Sequence, residues 1–270
     1  MINFIGMLKT ILHSPNRMAK NTILKWFIPL VILLVIAFMY YRVTPSIDDI
    51  WVLNLDKDKE RFQKVLDQQH LLPQKVNRWK ATYGKEEDRG AAEKDGVNNV
   101  LSKSGDIELN RRSPKVHNLP GEIGCWLSHK RLLRHLNTLN VSPNFGHLIL
   151  EDDVLIDKDF ARKWDAVKQS IPGDWDFIYL GIIDIIGDRI NENVVRWKHT
   201  EAWGNFGTHA YIVRHRAIPH ILDKLKYMNA PIDVQYYNML EDLKIYIVDP
   251  KLVLTDEGFE STIDAQQKRY

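Results

Sequence analysis

The apolar run Gly146-His-Leu-Ile-Leu150 passes without a spacer into Glu151-Asp152-Asp153. A run of that length and character reads as a buried strand, so the three carboxylates stand at a strand's C-terminal end. In open α/β sheets, ligands bind in the crevice outside the carboxyl ends of the strands. Three adjacent carboxylates there repel one another unless a cation neutralises them. Oxygen-only ligands suit Mg2+ or Mn2+, which retains waters, takes one or two protein carboxylates and completes its shell with substrate phosphates. A nucleoside diphosphate fits that description; a solvated acidic turn is the plainer alternative.

The rest of the chain supplies a sheet for this strand to join. Residues 50–55 form a second apolar run of strand length, and 57–69 follow with helical spacing at Phe62, Val65 and Leu66. Residues 76–81 read as a strand, 83–119 as a long excursion without periodicity, and a helix pattern starts at Gly121 and runs through Trp126, Leu127, Leu133 and Leu136. Further on, 159–170 and 216–227 read as helices, the latter around Pro219, while 175–180, 194–199, 207–213 and 243–248 read as strands. Strands alternating with helices imply a layered α/β domain.

Residues 26–41 carry no charge, and with Ile23, Leu24 and a snorkelling Lys25 they approach the ~20 residues needed to cross a bilayer. Trp26 at one end and Tyr40 and Tyr41 at the other suit the membrane interfaces, and no small-x-small cleavage site follows. Lys9, Arg17, Lys20 and Lys25 precede the run and only Arg42 follows closely, which puts the N-terminus in the cytosol. The expected organisation is a cytosolic tail over 1–22, a type II anchor over 23–42, a linker over 43–48 and one catalytic domain over 49–270. That domain would lie on the luminal, ER/Golgi-like, or extracytoplasmic side. With 37 basic and 35 acidic residues the net charge is +2, which gives no global field for nucleic acid. Cys125 is the single cysteine, so no intrachain disulfide staples the fold.

Several motifs stand in order behind the apolar span: Val52-Leu-Asn-Leu-Asp56 with Arg61, then Ala81 and Gly84, then Gly121-Glu-Ile-Gly-Cys-Trp-Leu-Ser-His129, then Leu148-Ile-Leu-Glu-Asp-Asp-Val154. Gly207-Thr-His-Ala-Tyr-Ile-Val213, Pro231-Ile-Asp233 and Glu260-Ser-Thr-Ile263 continue the series. The pattern resembles glycosyltransferase family 25, the lipooligosaccharide and procollagen galactosyltransferase family. The resemblance implies a GT-A type nucleotide-sugar-binding fold with a mixed central sheet, a UDP-galactose or UDP-glucose donor, and Mn2+ or Mg2+. It also implies transfer, with inversion, to a hydroxyl of a saccharide or of a hydroxylated protein. The cation would stabilise the charge that grows on the β-phosphate as UDP departs.

On that reading Asn54 and Asp56 end the first strand where uridine is received, and Arg61, one helical turn on, approaches the nucleotide or braces the acidic site. Glu122, Cys125 and His129 fall on one helical face that the motif sets beside the donor pocket; the plainer view makes Cys125 a small buried residue and His129 a structural one. Glu151 and Asp152 would face the nucleotide, and Asp153, Asp152 and His209 the metal. An inverting reaction needs a carboxylate to deprotonate the acceptor. Asp184 is preferred as that base and Asp233 as a hydroxyl ligand, with the order open because an N-cap role competes at Asp233. Trp175 and Trp203 offer flat faces for a sugar ring or for the core. Two other classes stay open: a catalytically inactive, membrane-anchored glycosyltransferase-like binding or adhesion module, and a metal-dependent phosphohydrolase.

Overall fold

A computed structural model describes residues 25, 28–33, 44–87, 89–97, 120–199, 206–256 and 258. The chain divides into two compact units, residues 1–44 and 45–270. In the first, residues 28–33 are helical, with Ile28, Leu30, Ile32 and Leu33 exposed. No helix among the described residues is long and apolar enough to cross a membrane. The expected tail over 1–22, most of the expected anchor over 23–42, Trp203 and the Glu260-Ser-Thr-Ile263 motif lie outside the described residues.

The second unit is built on the strands β1 (Asp49–Asn54), β2 (Val76–Lys80), β3 (Gly146–Glu151), β4 (Val154–Ile156), β5 (Phe177–Gly181), β6 (Asp188–Asn191), β7 (Val194–Arg196), β8 (Ala210–Arg214), β9 (Ile245–Val248) and β10 (Val253–Thr255). Eight of them form one mixed sheet in the order β2-β1-β3-β8-β5-β9-β7-β6. β3 runs parallel to β1, with Leu150 opposite Val52, and antiparallel to β8, with Leu150 opposite Ala210. β5 is antiparallel to β8 and parallel to β9. The carboxyl ends of β1, β3 and β5 and the amino end of β8 therefore share one edge of the sheet. This large mixed sheet fits the GT-A type fold expected from the sequence.

The helices are α1 (Lys59–Asp67), α2 (Arg89–Lys94), α3 (Pro120–Leu136), α4 (Phe160–Val167), α5 (Ile218–Lys224) and α6 (Ile232–Tyr237). Alternation along each central strand divides the core in two. Leu53, Ile149, Phe177, Tyr179, Tyr211 and Ile245 pack on one face against Trp126 and Leu133 of α3, Ile221 of α5 and Tyr236 of α6. Val52, Leu148, Leu150, Ile178 and Ile212 pack on the other against Val65 of α1 and Phe160 and Trp164 of α4. Trp175 belongs to this second cluster and is 1% exposed, so it is core and not a sugar platform. Pro219 lies in the first turn of α5, where its missing N–H has no helical partner to lose.

The expected 83–119 excursion contains α2, and residues 98–119 of it lie outside the described residues. The sequence reading missed β4 and β10, which make a separate antiparallel ribbon with Leu155 opposite Leu254, and the edge strand β6. Three- and four-residue strands are too short to display a period of two. The ribbon matters to the site: it returns the chain to β3's end, where the Asp256 N–H donates to the Asp153 carbonyl at 2.6 Å.

Candidate functional site

Glu151 is the last residue of β3, and Asp152 and Asp153 make the turn into β4. They line a cleft with Leu53 and Leu55 from the end of β1, Asp58 and Arg61 around the start of α1, residues 81–84, and Gly121, Gly124, Cys125, Ser128 and His129 of α3. The helix lies tightly against residues 82–84. A Cβ on Gly124 would sit 2.6 Å from the Thr82 carbonyl oxygen and 2.8 Å from the Gly84 nitrogen, and a Cβ on Gly84 would sit 1.7 Å from the Pro120 carbonyl oxygen. Across this contact the Thr82 N–H donates to Ser128 Oγ at 2.8 Å, and the Ser128 hydroxyl donates to the Gly124 carbonyl at 2.6 Å. Two glycines and a serine are thus the residues that let backbone meet backbone here.

The acidic turn is only partly neutralised. Asn54 donates through Nδ2 to Asp152 Oδ2 at 2.6 Å, and Arg61 lies 3.3 Å from Asp152 Oδ1 and 3.6 Å from Asp153 Oδ2. Asp153 Oδ1 is buried and accepts no hydrogen bond. Burial, then the neighbouring carboxylates of Glu151 and Asp152, push the Asp153 carboxyl up to about 7. Burial likewise raises Asp152, against the pull of Asn54 and Arg61. Burial also acts upward on Glu151, but His129 and the Thr208 hydroxyl outweigh it and hold that carboxyl below its usual value.

Behind Glu151 a polar chain runs into the core. The Thr208 hydroxyl donates to Glu151 Oε1 at 2.6 Å, and His129 Nε2 lies 3.5 Å from the same oxygen. The other nitrogen of His129, Nδ1, is 2.8 Å from the Tyr211 hydroxyl, which is 3.2 Å from that of Tyr236. Burial, with the Glu151 and Asp233 carboxylates, raises the Cys125 thiol well above its ordinary value. Among the described residues, one group of three possible metal donors comes together: Cys125, His129 and Glu151.

The remaining candidates are placed less uniformly. Asp56 is exposed and ion-paired with Arg78 at 2.8 Å and Lys80 at 2.7 Å; with Asn54 it borders a neighbouring depression shared with Lys59, Phe62, Gln63 and Arg78, not the main cleft. The hydrogen bond to Lys80, then that to Arg78, lowers the Asp56 carboxyl. Glu122 is not among the residues lining the cleft: the face of α3 that does so is Gly121, Gly124, Cys125, Ser128 and His129, at spacings of one turn. His209 precedes β8, and its carbonyl accepts from the Glu151 N–H at 3.0 Å. Its ring packs where a Cβ on Gly181 would come within 2.5 Å, and neither it nor Asp152 nor Asp153 belongs to the group of metal donors found among the described residues. Burial lowers its imidazole.

Asp184 is exposed after β5, whereas Asp233 is half-buried in the first turn of α6. Asp233 accepts from the Gly207 N–H at 3.1 Å and the Val234 N–H at 2.8 Å. Gly207 has φ 97°, the left-handed backbone that glycine adopts without strain. Burial raises the Asp233 carboxyl despite these two donors, and the Glu151 charge adds to the rise. Arg78, Thr208, Tyr211 and Tyr236 were missed by sequence reasoning. For Arg78 a signal existed: the register that sets it opposite Val52 follows from two parallel strands ending at the same edge.

Sequence comparison accords with this arrangement. The model of the family described as "Glycosyltransferase family 25 (LPS biosynthesis protein)" matches residues 47–236, which takes in β1, the α3 motif, the acidic turn and Asp233. A "Glycosyltransferase 25 family member" of Anopheles gambiae is 29% identical over 154 residues, 56% of this chain and 24% of that protein. The chain thus spans about a quarter of the length of that relative. With the family match covering well over half of its residues, the chain belongs to glycosyltransferase family 25.

Proposed function

We propose that residues 49–270 form a metal-dependent glycosyltransferase that moves galactose or glucose from a UDP-sugar to a hydroxyl of a saccharide or of a hydroxylated protein, with inversion. One observation carries the reading: within a family 25 domain, Asp153 Oδ1 is a buried acceptor without a hydrogen bond, beside Asp152 at the mouth of a cleft. These hard oxygens fit Mn2+ or Mg2+, and Asp152 and Asp153 would hold it. When bound, the cation supplies Lewis-acid stabilisation of the charge that develops on the departing diphosphate.

The chain's own groups complete the task. Arg61, already against both carboxylates, is a second cation for the diphosphate. The amino-terminal turn of α3 lends its N–H groups to the same end of the cleft through Gly121 and Gly124, which keep the backbone uncovered. Leu53, Leu55 and Tyr83 make an apolar end suited to the base. Asp233 is the better base of the two candidates: it is held by two backbone donors, and its raised carboxyl suits proton abstraction near neutral pH. Asp184, exposed after β5, has no such restraint, so the order preferred from sequence is reversed.

Type II anchoring through residues 23–42, with the catalytic domain luminal or extracytoplasmic, belongs to the same proposal and rests on the uncharged run 26–41 and the basic residues before it.

The deciding assay is UDP release by residues 43–270 from UDP-galactose and UDP-glucose, with Mn2+, with EDTA, and for Asp153→Asn. The expected result is metal-dependent release that EDTA stops and the substitution reduces by about 100-fold or more. Absence of release together with absence of UDP and Mn2+ binding would replace the enzyme with a binding module.

A further inference from the structure

The floor of the cleft holds a donor set of a different chemical kind from the aspartates at its mouth. Cys125 and His129 are one helical turn apart on α3, and Glu151 closes the group from the end of β3; one donor atom from each lies within 4.8 Å of the others. His129 is 0% exposed, with Nδ1 occupied by the Tyr211 hydroxyl at 2.8 Å. Its Nε2 is buried, makes no hydrogen bond and faces Glu151 Oε1 across 3.5 Å. In the tautomer that carries its proton on Nδ1, donated to the tyrosine oxygen, the Nε2 lone pair is directed at the Glu151 carboxylate. A cation seated between the two satisfies both the ring nitrogen and the carboxylate oxygen.

We propose that Cys125, His129 and Glu151 form a second metal site, selective for zinc-class divalent ions, and that filling it closes the cleft floor to other ligands. A sulfur, an imidazole nitrogen and a carboxylate oxygen suit Zn2+ or Co2+ and not Mg2+, and three protein donors leave a fourth position open to the cleft. Binding is balanced by loss of one proton: the Cys125 thiol gives its proton to solvent as the sulfur–metal bond forms. The thiolate and Glu151 then cancel the two charges of the ion, which removes the carboxylate repulsion that otherwise disfavours an ionised sulfur there. The pair Tyr211 and Tyr236 acts as the outer brace, fixing the imidazole so that Nε2 is the nitrogen presented.

Metal binding itself does not depend on the transferase reading; only its inhibitory consequence does. The probe is Co2+ titrated into the full chain, followed by absorbance, with Zn2+ used to displace it. Because Cys125 is the single cysteine, a thiolate-to-cobalt charge-transfer band has one source. The expected result is such a band at one equivalent, abolished by the near-isosteric Cys125→Ser, and retained in Asp153→Asn. Zn2+ affinity should fall by about tenfold or more in Cys125→Ser and in His129→Gln. Circular dichroism establishes that each variant is folded. Absence of the band in the folded wild type, or Zn2+ affinity unchanged in Cys125→Ser, overturns the site. Loss of Mn2+-dependent UDP release in Asp153→Asn with the cobalt band intact separates the two metals; a band lost in Asp153→Asn overturns their independence.

Discussion

Asp153 has an unsatisfied oxygen in a buried turn, and its folded carboxyl titrates near 7 because burial and two adjacent carboxylates oppose ionisation. In the unfolded chain the same group titrates near 3.9. Between those values the native state holds a proton that the unfolded state has released, so stability falls as pH rises through this window. The contribution is at most roughly 4 kcal/mol. Asp152 and Asp233, also raised by burial, slope the same way. Metal-free protein in EDTA is therefore expected to melt at a lower temperature at pH 7.5 than at pH 5.5. Saturating Mn2+ should offset the drop, and Asp153→Asn should both reduce it and remove the Mn2+ response. A melting temperature that holds steady across that range in EDTA would contradict this account of the turn. The position of these carboxylates was legible because an uninterrupted apolar run ends on them. Their partners were not: Thr208 is 57 residues from Glu151 and Tyr211 is 82 from His129, separations that no local period encodes. Asp184 shows the same limit from the other side, since following a strand fixes the sheet edge but not whether a side chain turns to the cleft or to solvent.

At the scale of elements, α3 sets the width of the cleft, and its approach to residues 82–84 depends on Gly124. A methyl group there would meet the Thr82 oxygen and the Gly84 nitrogen, both backbone, at 2.6 and 2.8 Å. Alanine gains about 1 kcal/mol of helix propensity over glycine, while overpacking against fixed backbone costs about 1–3 kcal/mol or more. The second effect wins where neither wall can rotate away. Gly124→Ala is thus expected to lower the melting temperature by about 2–6 °C for a domain of this size, and to weaken UDP binding because the helix that lines the cleft must move outward. A neutral or stabilising result by calorimetry would mean that the Thr82–Gly84 segment yields freely. The helix itself was readable from Trp126, Leu127, Leu133 and Leu136, but its cleft-lining face was not. The apolar stripe marks the buried side, and the lining side carries small residues with His129, so periodicity alone does not tell which of Glu122, Cys125 and His129 reach the cleft. The central strands were legible for the converse reason: buried on both faces, β3, β5 and β8 are mainly apolar over five or six residues, whereas β6 is polar and exposed and the apolar ribbon strands β4 and β10 are only three residues long.

At the scale of the molecule, among the described residues both core clusters draw their buried members from Ile47 onward, one on each face of the sheet, and the cleft draws its lining from Leu53 to Asp153. Fold and site therefore depend on residues 45–270, and residues 1–44 form a separate unit. Two consequences follow from that division. The chain starting at Pro45 should fold cooperatively, with the same melting midpoint and the same Mn2+ response as the full chain, because no core or cleft residue among the described ones is removed. The full chain, by contrast, should sediment with membranes and resist extraction by alkaline carbonate on the proposed anchoring, since the uncharged run 26–41 with Ile23, Leu24 and a snorkelling Lys25 approaches the ~20 residues of a span and has basic residues before it. Measuring both on one preparation separates the roles of the two units. A shortened chain that melts lower would make residues 1–44 part of the folded domain, and a full chain released by carbonate would deprive that run of its membrane role while leaving the cleft chemistry untouched.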